Sequence, residues 1–386
     1  MAALSRRAQL AFAAGFVLYA CIVIPLGVRK GDDVQTEITQ AHRILDGLTL
    51  YNTPQTQGVW WTPFALLLVL PAALLADWSL VLAKACWGAL GMMALAWSVY
   101  ETGRRWGWRP AIAALGVVLF PVHNNFHHLN IETLLLALFV ATAGDLADGR
   151  PSRAGVWVGL ATALKLFPGL LLPYFALRRQ WKALGAGIAV AVAATVVPLL
   201  FYGPRGALEA LRNWLALTLH GQNFQGGTIT GLHMQKLGRL AYTMGGVPLS
   251  TIALHVFAIG LVAATLLRRP GADDAPLEVG SVTLLAVLLA PIAWLHTFTL
   301  GYLAWVAVIA GAPAGSRGWR LALWIAAVYA STALSALPLP PALRFVTFFN
   351  DTLGALMALA LLLVLRRARL GATAATALTP GSPQPA

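Results

Sequence analysis

Gly159-Leu160-Ala161-Thr162-Ala163-Leu164-Lys165-Leu166-Phe167-Pro168 lies inside an apolar run, 154–177, with basic clusters at both ends. Arg150 and Arg153 precede the run, and Arg178, Arg179 and Lys182 follow it. Clusters of this kind mark the inner face of a membrane protein, so both ends belong on one side. At about 24 residues the run is too short to go out and back, because one crossing takes roughly 20. Two short helices meeting at Lys165-Leu166-Phe167-Pro168 resolve the conflict. Broken helices persist in a membrane only where they line a protein-buried or watery cavity. A lysine at the bilayer centre costs roughly 2.5–3.5 kcal/mol, and Lys165 has apolar flanks, so it reads as a functional residue of that cavity.

The whole chain has the same character. Of its 386 residues 59% are hydrophobic and only 11% charged, with a mean hydropathy of +0.72. Soluble domains carry about 25% charged residues, so the chain reads as an all-α polytopic membrane protein. The net charge of +13 comes from small clusters between apolar spans, which orient a membrane protein. No basic stripe with interleaved aromatics lies outside the spans, which argues against nucleic acid as a partner. Cys21 and Cys86 both fall inside apolar runs and offer neither a disulfide framework nor a metal pair.

Threading starts with Arg6 and Arg7 inside and an uncleaved first span at 9–28. A polar outer loop, 29–60, follows. The apolar stretch 60–76 creates a contradiction if it crosses, because the span at 79–100 would then deliver Arg104, Arg105 and Arg109 outside. A half-inserted helix on the outer side, entered through Trp60-Trp61-Thr62-Pro63, removes it. Spans near 110–122 and 131–148 enclose an outer loop with His123, Asn124, Asn125, His127 and His128. After the broken segment come 183–201, an outer segment 202–247, and spans at 248–267, 277–294, 297–312, 321–337 and 351–366. About twelve crossings result, with both termini inside. Residues 1–370 form one transmembrane domain, and 371–386 read as a disordered cytoplasmic tail.

The threading gathers polar residues on the outer side. Asp32 and Asp33 follow the first span, with Glu37 one turn after Asp33 on the same face. His296 lies at an outer span end. The outer segment supplies Asn223, Lys236 and Arg239 among others. Carboxylates beside a histidine and several cations suit acyl or glycosyl transfer from an anionic leaving group. A carboxylate removes the acceptor proton, and cations stabilise charge growing on a departing phosphate. His123 and His127 have the i,i+4 spacing of two metal ligands. No Glu stands between them, and Asn124 and Asn125 favour a turn, so no metal is expected.

Four stretches in order resemble glycosyltransferase family 87, membrane mannosyltransferases of the GT-C superfamily that use polyprenyl-phosphate sugars. They are Asp33 through the Gly47-to-Tyr51 turn, Trp61-Thr62-Pro63-Phe64, the Gly159–Pro168 stretch, and Ala290-Pro291-Ile292-Ala293-Trp294-Leu295-His296. The resemblance implies a GT-C-like fold with half-inserted outer helices, and Asp33 as general base. It places Lys165 and His296 in the active-site cavity, His296 near the donor phosphate or the acceptor. His127-His128-Leu129-Asn130 stands where the family has Gly-Gln-x-Asn, and Asn223-Phe224-Gln225 where it has Asn-Gln-Ser. His128, Asn130 and Asn223 accordingly join Asp32, Lys165, Lys236 and Arg239 as substrate-binding candidates.

The expected reaction moves a hexose, mannose first, from a polyprenyl-phosphate donor to a lipid-linked or glycan acceptor, with inversion. It takes place on the extracytoplasmic side of a bacterial plasma membrane, among its lipids. Nucleotide sugars stay in the cytoplasm, so the donor arrives through the membrane, and Lys165, Lys236 and Arg239 face its head group. A single phosphodiester needs no metal, and no cofactor is implied. Related members transfer arabinose, which leaves the sugar open. The competing readings are a polysaccharide polymerase or ligase and a secondary transporter. Transporters show internal repeats, and no second copy of the Gly159–Pro168 stretch occurs.

Overall fold

The computed structural model describes residues 5–48, 50–51, 61–220, 248–267, 274–290, 293–313, 315–331 and 350–377. Every regular element among them is helical. The first is α1 (Arg6–Arg29), capped by the Ser5 side chain. It is followed by α2 (Asp32–Leu45), α3 (Pro63–Ala76), α4 (Leu80–Trp106), α5 (Trp108–Val117), α6 (Leu119–His128) and α7 (Glu132–Ala147).

The break predicted at Lys165 is there. Helix α8 (Pro151–Leu164) stops at Leu164, and Lys165 is extended, with φ −144° and ψ 139°. Pro168 explains this, since its ring clashes with the carbonyl four residues back, that of Leu164. The chain resumes as a 3₁₀ turn, Phe167–Leu170, and then α9 (Leu171–Leu177).

Beyond it run α10 (Trp181–Val196), α11 (Leu199–His220), α12 (Pro248–Leu266) and α13 (Ala275–Leu289). A 3₁₀ segment, Leu295–Gly301, leads into α14 (Tyr302–Ala310), followed by α15 (Arg317–Ala330) and α16 (Asn350–Ala377).

Helix α13 is buried from Pro276 to Leu288 and apolar apart from Glu278, Ser281 and Thr283, which makes it the central post of the bundle. Helices α1, α4, α10 and α15 instead carry exposed Leu18, Val81, Val192 and Trp324 on their outer sides, a surface suited to lipid. α1 and α4 are long and apolar enough to cross a membrane. Among the shorter apolar helices, Ala253–Leu266, Ala275–Leu289 and Leu295–Ala310 coincide with three of the other expected spans. Helix α3 has 14 residues, about 21 Å at 1.5 Å per residue, short of the roughly 30 Å hydrocarbon core.

Small residues bring α8 and α10 into backbone contact. A methyl group on Gly155 would lie 2.1 Å from the Ala183 carbonyl oxygen, and one on Gly159 would lie 2.6 Å from that of Gly187. This i,i+4 pair of glycines is the usual device for close helix approach in lipid.

Four sequence expectations need correction. Asn124 and Asn125 do not turn, because α6 runs on to His128 and the turn falls at Leu129, in the left-handed region with φ 54°. The span drawn at 183–201 ends at Val196, and the chain bends by 104° into α11, which fills the start of the outer segment. The span drawn from 297 begins as 3₁₀ helix. α13 ends where it does because Ala290, before Pro291, is extended (ψ 136°), as a residue preceding proline must be. Lastly, α16 runs through Ala377, past the boundary drawn at 370.

Candidate active site

The break after α8 is held open from outside. Thr62 caps α3 by accepting the Ala65 N–H at 3.0 Å, and Pro63 occupies the first helical position, which needs no N–H. The same Thr62 hydroxyl donates to the Ala163 carbonyl, one of the groups that the end of α8 leaves without an intrahelical partner. Tyr51, fully buried, donates its hydroxyl to the Trp61 carbonyl at 2.8 Å. The Gly47–Tyr51 turn and the entry to α3 thus form one staple against the broken helix.

Helix α2 lies over this region. Val34, Ile38, Ala41 and Ile44 form its buried stripe, with Glu37 and Gln40 on the same side. Gly31 starts it at a left-handed φ of 26°, and its N–H donates to the His127 carbonyl at 3.3 Å. A side chain at Gly31 would meet Leu129 at 2.7 Å, so the α1–α2 corner and the Leu129 turn must be packed this tightly.

Asp32 and Asp33 therefore sit directly on the α6–α7 turn. His128 Nδ1 lies 2.7 Å from Asp32 Oδ1, and Asn130 Nδ2 donates to Asp33 Oδ2 at 2.6 Å. Asn130 cannot flip, because its Oδ1 accepts the Ile131 N–H at 2.7 Å and the Lys165 ammonium at 3.3 Å. Lys165 Nζ also donates to Glu132 Oε1 at 2.6 Å, and His296 Nε2 lies 3.8 Å from that oxygen. The His128 and His296 rings stand 6.1 Å apart.

The two aspartates differ electrostatically. Burial raises the pKa of Asp33, and the neighbouring Asp32 charge adds to this. The Asn130 hydrogen bond and the charge of His128 offset only part of it. For Asp32 the burial effect is outweighed by the hydrogen bond and charge of His128, which hold it below the usual carboxylate range. Glu37 is pushed well up, first by burial and then by Asp33. Of the two aspartates, Asp33 is thus the one shifted toward neutrality, the direction that suits a general base.

Among the described residues Asp32, Asp33 and His128 each offer a ligand atom, all within 4.8 Å of one another. They fit a cation by donor type, although Asp32 and His128 already satisfy one another.

The family model described as "Glycosyltransferase family 87" matches residues 60–291, more than half of the chain. The chain belongs to glycosyltransferase family 87. Two curated relatives carry the name polyprenol-phosphate-mannose-dependent alpha-(1-2)-phosphatidylinositol mannoside mannosyltransferase. The one from Mycolicibacterium smegmatis is 29% identical over 204 residues, 50% of this chain and 44% of its own. The one from Mycobacterium tuberculosis is 30% identical over 214 residues, 54% of this chain and 47% of its own. The chain thus spans about half the length of these relatives. In fold it is similar to ArnT from Cupriavidus metallidurans in the apo state, with a TM-score of 0.50 at 14% identity, over 97% of this chain and 82% of that one.

The candidate site residues converge in space. Asp32, Asp33, His128, Asn130, Lys165 and His296 surround one point, whereas Asn223, Lys236 and Arg239 lie outside the described residues. One expectation changes. Lys165 does not face the cavity as a lone cation but is paired with Glu132, a residue the sequence reading passed over. A signal for it existed, because a lysine within the membrane requires a counter-ion and Glu132 is the acid at the head of the span 131–148.

Proposed function

We propose that this chain transfers a hexose, mannose first, from a polyprenyl-phosphate donor to a lipid-linked or glycan acceptor. The reaction is a single displacement on the extracytoplasmic side of the plasma membrane, in a chain of about twelve crossings. Asp33 takes the proton from the acceptor hydroxyl. The acceptor oxygen bonds to the anomeric carbon as its bond to the phosphate oxygen breaks, and polyprenyl phosphate leaves with the electron pair. Attack opposite the leaving group inverts the anomeric centre.

The observation that carries this reading is the meeting of Asp33 and Lys165 on the two ends of one amide, Asn130, at a point where a helix is broken. A carboxylate for the acceptor and an ammonium for the donor phosphate stand on either side of a rigid spacer. His296 completes the catalytic pair with Asp33, on the donor side. Asp32, His128, Asn130, Asn223, Lys236 and Arg239 contact substrate. The family, and the polyprenol-phosphate-mannose dependence named for both relatives, support the donor class.

The test is to incubate purified protein in lipid with labelled polyprenyl-phosphate mannose and bacterial envelope lipids, and then to extract the products. Label in a larger glycolipid is the expected result. Label recovered only as unchanged donor, with mannose or donor moved across a sealed vesicle, would leave a transporter. A ladder of chain lengths would leave a polymerase.

A further inference from the structure

The Glu132 carboxylate is the most deeply buried acid of the site, at 0% exposure, while Lys165 retains 16% of its side-chain surface and His296 5%. Lys165 donates to Glu132 Oε1 at 2.6 Å, whereas His296 Nε2 lies 3.8 Å from the same oxygen, beyond hydrogen-bond reach. The other oxygen, Oε2, is buried and accepts no hydrogen bond. Its backbone is fixed as firmly as its side chain is enclosed. Glu132 is the first residue of α7, its N–H donates to Asn125 Oδ1 at 3.1 Å, and Asn125 is itself buried. No substrate reaches this carboxylate directly, so any effect it has on the reaction passes through the Lys165 ammonium that it holds.

Stability does not account for the pair. Taking two charges out of water costs several kcal/mol per ion, and apolar replacements of buried pairs are often neutral or stabilising. The apolar alternative is available, because Ile131, Leu135 and Leu164, neighbours of the pair in sequence, are themselves buried. The ammonium, by contrast, is held within a narrow arc. Among the described residues one of its three N–H donors goes to Glu132 and one to Asn130, which leaves the third for an acceptor on the substrate.

We propose that Glu132 is the positioning residue of the donor site: its carboxylate holds the Lys165 ammonium aimed at the phosphate that departs. This rests on the glycosyl-transfer reading above. Charge grows on the phosphate oxygen only as the glycosidic bond breaks, so a correctly aimed ammonium matters most in the transition state. Losing the aim then lowers kcat and leaves donor KM nearly unchanged.

The experiment uses full-length protein in lipid, with labelled polyprenyl-phosphate mannose as the probe. Product from the unaltered protein is the control for the underlying reading, and without it that reading and this inference both fall. Given product, Glu132→Gln is expected to lose roughly 10–100-fold in kcat, as when a group orienting a ligand-contacting side chain is removed, with donor KM changed less than about threefold. Glu132→Asp should recover part of the loss. Lys165→Met combined with Glu132→Gln should be no slower than Lys165→Met alone, because the acid acts through the lysine. The double variant also removes both buried charges, so it avoids the uncompensated charge that each single variant leaves. Multiplying losses, a loss confined to KM, or a normal kcat in Glu132→Gln would each overturn the proposal.

Discussion

Replacing Asp33 by Asn removes its basicity and keeps its shape, and the surroundings show why the fold should tolerate the change. Asn130 presents its Nδ2 to position 33 and cannot present its oxygen, which is held by the Ile131 N–H and Lys165. An Asn at 33 can offer its own oxygen to that Nδ2, so the hydrogen bond survives and only the proton acceptor is lost. General-base contributions of roughly 10²–10⁴-fold correspond to about 2.7–5.4 kcal/mol of barrier. The expected result is that loss in kcat, with donor KM and the unfolding temperature in detergent close to those of the unaltered protein. The pH profile gives a second reading. Burial raises the Asp33 pKa, and only the ionised form accepts the proton, so rate is lost as pH falls through a value above the ordinary aspartate value of about 3.9. Asn130→Ala removes a hydrogen bond that favours the ionised form, which shifts this acid limb to higher pH. Near-normal turnover in Asp33→Asn, or a limb that moves down in Asn130→Ala, would refute the assignment. If Asp32→Asn alone were inactive, the base would move by one residue.

Alkaline phosphatase fusions near residues 50 and 225 should be active and those near 105, 180 and 318 inactive; an active fusion near 105 would mean that α3 crosses the bilayer. Transfer should persist in excess EDTA, and strict dependence on a divalent ion would instead make Asp32, Asp33 and His128 its ligands. On the opposite face Glu278 accepts from Tyr174 at 3.0 Å, from Arg178 and from Arg366. Glu278→Ala should therefore cost roughly 3–5 kcal/mol, read as a fall in unfolding temperature in detergent; an unchanged temperature would show this network to be dispensable.

What the sequence made legible was the punctuation that membranes enforce. Pro168 between two basic clusters located the broken helix, and Thr62-Pro63 located the start of α3. Each signal acts over a few residues and has a mechanism that no tertiary contact reverses. The turn at Leu129 was not legible, because a left-handed leucine is stabilised from afar: Trp87 donates its indole N–H to the Leu129 carbonyl at 3.0 Å. The asparagine signal next to it was genuine but misplaced. Asn125 stays helical and spends its side chain capping the Glu132 N–H of the next helix. Glu132 was missed because its partner lies 33 residues away, across two helices and the turn between them, and periodicity carries no information at that separation.

The signs of the site charges follow from the helices that carry them. Asp32 and Asp33 occupy the first turn of α2, and Glu132 the first turn of α7. His128 lies in the last turn of α6, and Lys165 is the residue after the last turn of α8. Acids stand at helix starts and bases at helix ends, the arrangement the helix dipole favours by roughly 0.3–1 kcal/mol per charge. Successive helices run in opposite directions, so one face of the bundle collects starts and ends alternately and therefore interleaves the two signs. The opposite face lacks this help at the end of α7, where Asp148 meets the negative pole and is held by Arg105 through two hydrogen bonds of 2.7 and 2.8 Å. The pair at the site should accordingly have a preferred direction. In the double variant Glu132→Lys with Lys165→Glu, two opposite charges still face each other, but each now opposes its helix. Two favourable dipole interactions are lost and two unfavourable ones gained, roughly 1–4 kcal/mol in all. The expected result is a swapped protein that unfolds at lower temperature than the native one and more readily at low salt, where dipole interactions are least screened. Equal stability of the two would mean that the helix ends play no part in setting the charges of this site.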